Sequence, residues 1–97
     1  MNKSQFLKSF APKSKEIDID GSKVTVSELS LVQRGKLHAI ANTDPIRGQA
    51  LIVCMGCDLF TDDDLDDVMG LSGEVVTMLA DAVLEVSGLS TEDAEKN

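Results

Sequence analysis

The chain has no tryptophan and no tyrosine, and three phenylalanines make up its whole aromatic share of 3%. Bases, sugars and flat cofactors are held largely by aromatic stacking, so single-stranded nucleic-acid binding is disfavoured. Positive charge is scarce as well: nine Lys and Arg stand against seventeen Asp and Glu, a formal charge of −8. A field of that sign repels phosphate backbones, which argues against DNA binding and leaves nucleic acid out of the expected partners. Cysteine occurs twice and histidine once. Two thiols three positions apart, with no signal-like N-terminus, point to a reducing, cytosolic setting. The longest run without a polar side chain, Ala50 to Cys57, is far short of the roughly 20 apolar residues that cross a bilayer, so no membrane partner is expected.

What remains is ordinary for a folded domain: 42% hydrophobic and 27% charged residues in a chain of 97. One core is all that such a length supports. Charge divides the chain unevenly. Residues 1–15 carry Lys3, Lys8, Lys13 and Lys15 without an acid, whereas residues 58–97 carry twelve acids against Lys96 alone. The reading is a mobile basic segment over 1–15, a single globular domain over 16–89 and a disordered acidic tail over 90–97, where Ala94 is the one apolar residue.

Hydrophobic spacing predicts the elements. Phe6, Leu7 and Phe10 share a helical face that Pro12 ends, giving a short helix within the basic segment. Ile17, Ile19, Val24 and Val26 alternate with polar residues on either side of Asp20-Gly21, which reads as a β-hairpin with one apolar face needing helical cover. Ser30 with Gln33 forms a capping pattern before a helix over 31–42. Asp44-Pro45 opens a third helix, apolar on all sides from Ala50 and running to Cys57 or Asp58, which belongs at the centre of the fold. Thr61 with Asp64 caps a short helix over 62–69. Ser72 caps a last helix with Val75, Leu79, Ala82, Val83 and Val86 as its apolar stripe, and Gly88 suits the left-handed residue that closes it. The expected fold class is α+β, mostly α: an N-terminal β-hairpin packed on a bundle of about four helices.

None of these motifs carries chemistry. Cys54-Met55-Gly56-Cys57 is a CxxC late in a helix, where the dipole raises the energy of a thiolate, and no second pair completes a zinc site. Both cysteines read as core residues. His38 has no partner motif for a thiol–imidazole dyad. The run of Asp58, Asp62, Asp63, Asp64, Asp66 and Asp67 invites a calcium reading, but a loop begun at Asp62 puts Asp67 where the turn glycine belongs and Gly73 where the bidentate glutamate belongs. A solvated helix N-terminus explains the run better. No glycine-rich phosphate loop is present, and the expectation is a protein that is not an enzyme and has no cofactor, no metal and no catalytic residues. The final helix, with Val76, Met78 and Leu84 outside its narrow stripe, shows more apolar surface than a small domain covers easily. The candidate partner-binding face is therefore Val76, Met78, Leu79 and Val83 together with Leu59 and Phe60, facing another chain or a second copy of this one.

The order of motifs resembles one family. A basic N-terminus, Ile17-Asp18-Ile19-Asp20-Gly21 running into Val26-Ser27-Glu28-Leu29, Asp44-Pro45 with Arg47, Leu59-Phe60-Thr61-Asp62, Leu71-Ser72 and Val83-Leu84-Glu85-Val86-Ser87-Gly88-Leu89 together are similar to the tail assembly chaperones of long-tailed bacteriophages, over residues 16–97. The resemblance implies a non-enzymatic protein of the host bacterial cytoplasm, not in the mature virion, that binds the tape-measure protein and keeps it soluble while the tail tube polymerises. It further implies two products from one message, the longer made by a programmed −1 frameshift and able to reach the tail tube protein. Glu95-Lys96-Asn97 can be encoded GAA-AAA-AAC, which contains a slippery string, and the chain then reads as the short product. The family supplies no binding motif that transfers residue by residue. Two other classes compete: an acidic regulatory or inhibitory module acting on a basic host protein surface, carried by the Asp cluster, and a thiol redox enzyme working through Cys54 and Cys57.

Overall fold

The computed structural model describes residues 1–89, so the acidic tail expected over 90–97 lies outside the described residues. Helix α1 spans Lys3–Ser9, followed by strands β1 (Ser14–Ile19) and β2 (Ser22–Ser27). Helices α2 (Leu31–Ala41) and α3 (Pro45–Gly56) come next, then a 3-10 turn (Asp62–Asp64), α4 (Leu65–Met69) and α5 (Gly73–Val86). The class is α+β and mostly α, as the spacing predicts. Strand β1 begins at Ser14, so the sheet reaches into the segment read as a basic arm.

Local signals set the boundaries. The two strands pair antiparallel with Ile19 opposite Ser22, leaving Asp20 and Gly21 as a two-residue loop. Both have positive φ, 50° and 87°, the turn that matches the twist of the strands it joins. The Asp18 carboxylate accepts the Gly21 N–H at 2.7 Å and fixes the turn. Ser30 and Gln33 cap α2 reciprocally: the Ser30 hydroxyl accepts the Gln33 N–H, and the Ser30 N–H donates to Gln33 Oε1 at 2.9 Å. Asp44 Oδ1 accepts the Arg47 N–H at the start of α3, with Pro45 at the first helical position. Helix α5 closes at Gly88 (φ 74°), with the Leu89 N–H donating to the Leu84 carbonyl at 2.8 Å and the Gly88 N–H to that of Glu85. That is the paired geometry of a Schellman ending. Ser72 holds the N-cap position of α5, but its side chain makes no capping bond.

Helix α3 is the centre. Gly48, Ala50, Leu51, Ile52, Val53, Cys54 and Gly56 are all buried, and α2, α4 and α5 pack around it. Contact with α5 is close enough to require glycine: a Cβ at Gly56 would stand 2.6 Å from Val83 Cγ2. The hairpin lays Val24 and Val26 in the core, with Ile17 and Ile19 half-buried beside them, and α5 packs on both strands. The Cys57 backbone bridges to Val26, and the Asp58 N–H donates to the Thr25 carbonyl at 3.1 Å, so the end of α3 is sewn to the edge of β2.

Helix α5 departs from the expected stripe. Its buried residues are Val76, Leu79, Ala80, Val83 and Leu84, while Val75, Ala82 and Val86 are half-buried. Positions 76, 79, 80, 83, 84 and 87 share one face at helical spacing, and α3 and the hairpin cover that face. The expected stripe is turned by about one position, and Val76 and Leu84, read as surplus apolar surface, belong to the core.

A candidate binding groove

Helices α2 and α5 both pack on α3 and are tied to each other at one end, where Arg34 Nη2 donates to the Ser87 carbonyl at 2.8 Å. Away from that tie the space above α3 is left open. It forms a groove of about 410 Å³, walled by Leu37 and Ala41 from α2 and by Ala80, Asp81 and Leu84 from α5. Its floor is α3, with Ile46 and Ile52. Leu37, Ile52, Ala80 and Leu84 are buried, whereas Ile46 is 66% exposed at the mouth. Gln49 Nε2 donates to Thr77 Oγ1 at 3.1 Å and braces α3 against α5 beside the opening. An apolar trough with one carboxylate on its wall suits an apolar side-chain cluster better than a polar metabolite.

The six residues expected to form a binding face divide. Val76, Leu79 and Val83 are 8%, 4% and 0% exposed, so they are core residues and present no face to a partner. Rotation of the stripe buries Val76, while Leu79 and Val83 already belong to the expected apolar stripe, and α3 and the hairpin cover all three. Met78 and Leu59 are 41% and 63% exposed, and Phe60 is half-buried against the core. The sequence does not single out Ile46, because it is a lone apolar residue beside Arg47 in the first turn of α3, ahead of the apolar run that starts at Ala50.

More apolar surface lies at the other end of α2. Leu31 and Val32 are 86% and 70% exposed. Leu31 lines a second hollow with Phe10, Pro12, Leu29 and Arg34. Helix α1 buries none of its residues: Phe6, Leu7 and Phe10 are exposed, and the rings of Phe6 and Phe10 lie against each other with centroids 4.7 Å apart. A capping box through Asn2 and Gln5 holds this one-sided helix together without help from the core.

The acidic run forms the 3-10 turn and α4. Asp58, Asp62, Asp63, Asp66 and Asp67 are exposed, the Thr61 N–H donates to Asp64 Oδ2 at 2.9 Å, and Lys36 pairs with Asp62 at 3.2 Å. Among the described residues, no group of three His, Cys, Asp or Glu side chains is arranged to hold a metal ion. Cys54 and Cys57 are both free and buried. Burial, helped by the nearby carboxylates of Asp62 and Asp64 and by Cys57, pushes the Cys54 thiol from 9.0 up to about 11. Burial raises Cys57 as well, against a backbone hydrogen bond at Leu59. Thiols shifted in that direction are protonated at neutral pH and make poor nucleophiles.

Among the described residues no helix is long and apolar enough to cross a membrane. Set against known proteins, the chain matches no family model, no curated protein and no solved structure.

Proposed function

We propose that this protein is a non-enzymatic tail assembly chaperone of a long-tailed bacteriophage or prophage. It binds the tape-measure protein and keeps it soluble in the host bacterial cytoplasm until the tube closes around it. The observation that carries the reading is the apolar groove with exposed Ile46 on a strongly acidic body. A long helical client exposes apolar stripes that self-associate. A small acidic protein that takes such a stripe into a trough removes the sticky surface and adds repulsive charge in one step. The sequence resemblance points to the client, and the apolar groove supports capture of an apolar stripe.

The test is co-expression with a tape-measure protein of a long-tailed phage. The tape-measure protein should stay in the soluble fraction with the wild-type chain and precipitate without it. Equal precipitation in both cases refutes the reading. The exposed carboxylates of the 3-10 turn and α4 favour a second reading, an acidic module that occupies a basic host surface. Its binding would fall steeply with added salt, whereas apolar capture in the groove would not.

A further inference from the structure

We propose that helix α1, with the apolar rim beside it, binds a lipid surface that carries anionic phosphate headgroups. The inference does not rest on the tail-assembly reading and leaves the groove free. Helix α1 buries none of its residues, and a helix of seven residues is marginal in water without cover. Phe6, Leu7 and Phe10 are 55%, 61% and 68% exposed. At about 100° per residue the three fall within about 100° of arc, so they make one face, with Lys8 on the opposite side. Phe10 and Pro12 line a hollow with Leu31, which is 86% exposed, and the apolar rim thus continues onto the start of α2.

Charge gives the sign of the surface. Residues 1–15 hold no acid, and Lys3, Lys8 and Lys13 make no ion pair among the described residues. Lys15 is left out of the contact, since it belongs to β1 and pairs with Glu85. The two charges at the hollow offset each other: Glu28 Oε1 accepts the Lys13 N–H at 3.1 Å, and Arg34 is held by the Ser87 carbonyl. The body carries the other sign, with all seventeen acids from Glu16 onward. The field of an anionic leaflet fades within about 8–10 Å. The protein measures 45 × 34 × 25 Å, so lysines set against the headgroups feel that field in full and acids on the far side do not.

Area decides between a bilayer and a protein partner. A phenylalanine buries roughly 150–250 Å², so two rings and a leucine fall short of the roughly 1,200 Å² of a stable protein complex. A bilayer interface needs no shaped counterpart: apolar side chains enter it one by one, and the attraction of each lysine adds to theirs. The expectation of no membrane partner rests on spanning length, which a helix lying in the interface does not need. One short anchor of this kind binds weakly and reversibly.

Flotation of the full chain with vesicles of equal parts phosphatidylglycerol and phosphatidylcholine reads the contact directly. The wild type should rise with these vesicles and stay behind with vesicles of phosphatidylcholine alone. Phe6→Glu with Phe10→Glu should stay behind with both. Lys3→Gln with Lys8→Gln should weaken binding to the anionic vesicles roughly tenfold or more. Lys23→Gln, which removes a lysine of the hairpin that pairs with Glu16, should leave binding unchanged. All five positions are exposed, so the fold survives, as circular dichroism will show. A wild type that stays behind with the anionic vesicles or rises equally with both kinds overturns the proposal. So does a variant of α1 that floats like wild type, or a loss for Lys23→Gln as large as that for the α1 lysines.

Discussion

The Ser87 hydroxyl accepts the backbone N–H of Leu29 at 2.9 Å and donates to the Val83 carbonyl at 2.7 Å. Through these two bonds the end of α5 is fastened to the segment between β2 and α2, inside the core, where Leu29 is 2% exposed. The nearby bond from Arg34 to the Ser87 carbonyl adds the start of α2 to the same joint. This joint closes one end of the α2–α5 pair and so leaves the groove at the other.

Ser87→Ala removes the acceptor and strands a buried N–H, which costs about 1–3 kcal/mol. Urea unfolding should show a lower midpoint with an unchanged slope. A midpoint equal to wild type would show that water or a neighbour satisfies Leu29 and that the joint is not structural.

Gly56 of α3 lies close against Val83 of α5, and a methyl at position 56 meets both Val83 methyl groups. Gly56→Ala should destabilise by about 1–3 kcal/mol through overpacking. Combined with Val83→Ala, which makes room, it should cost less than the two single changes added together, and a thermodynamic cycle measures the difference. Simple additivity would contradict the contact.

The raised Cys54 thiol predicts a pH dependence of definite sign. As pH rises, the unfolded chain releases its thiol proton before the folded one does, so the folded state is penalised. The stability contributed by burying the neutral thiol is whole below pH 9.0 and is lost as pH climbs toward about 11. Cys54→Ala should flatten the decline of unfolding free energy in that window, and Ellman's reagent at pH 8 should react far more slowly with the native than with the urea-unfolded wild-type chain. Rapid native labelling of Cys54 would show an open thiol.

The sequence discloses most of the fold because its signals are short-range. The caps at Ser30 and Asp44, the Asp20-Gly21 turn and the Gly88 ending each involve residues within a few positions of one another, so chain chemistry alone sets them. The core face of α5 is different. Val75, Val76, Leu79, Ala80, Ala82, Val83, Leu84 and Val86 allow two overlapping stripes, and which one is buried depends on where α3 and the hairpin lie. Exposed Val32 was legible in principle, since at about 100° per residue it sits about 140° around α2 from Leu37. The groove was not legible, because it belongs to three helices at once and to none of their patterns.

On the proposed function, the groove covers an apolar stripe of the tape-measure protein. The most direct measurement is the affinity for the tape-measure protein, by calorimetry on a soluble helical fragment of it, across wild type, Ile46→Glu and Val32→Glu. Both positions are exposed and apolar, but only Ile46 lines the groove. Ile46→Glu should weaken binding about tenfold or more, a loss of roughly 1.4 kcal/mol, while Val32→Glu should leave it unchanged. Equal affinities for all three proteins would contradict it.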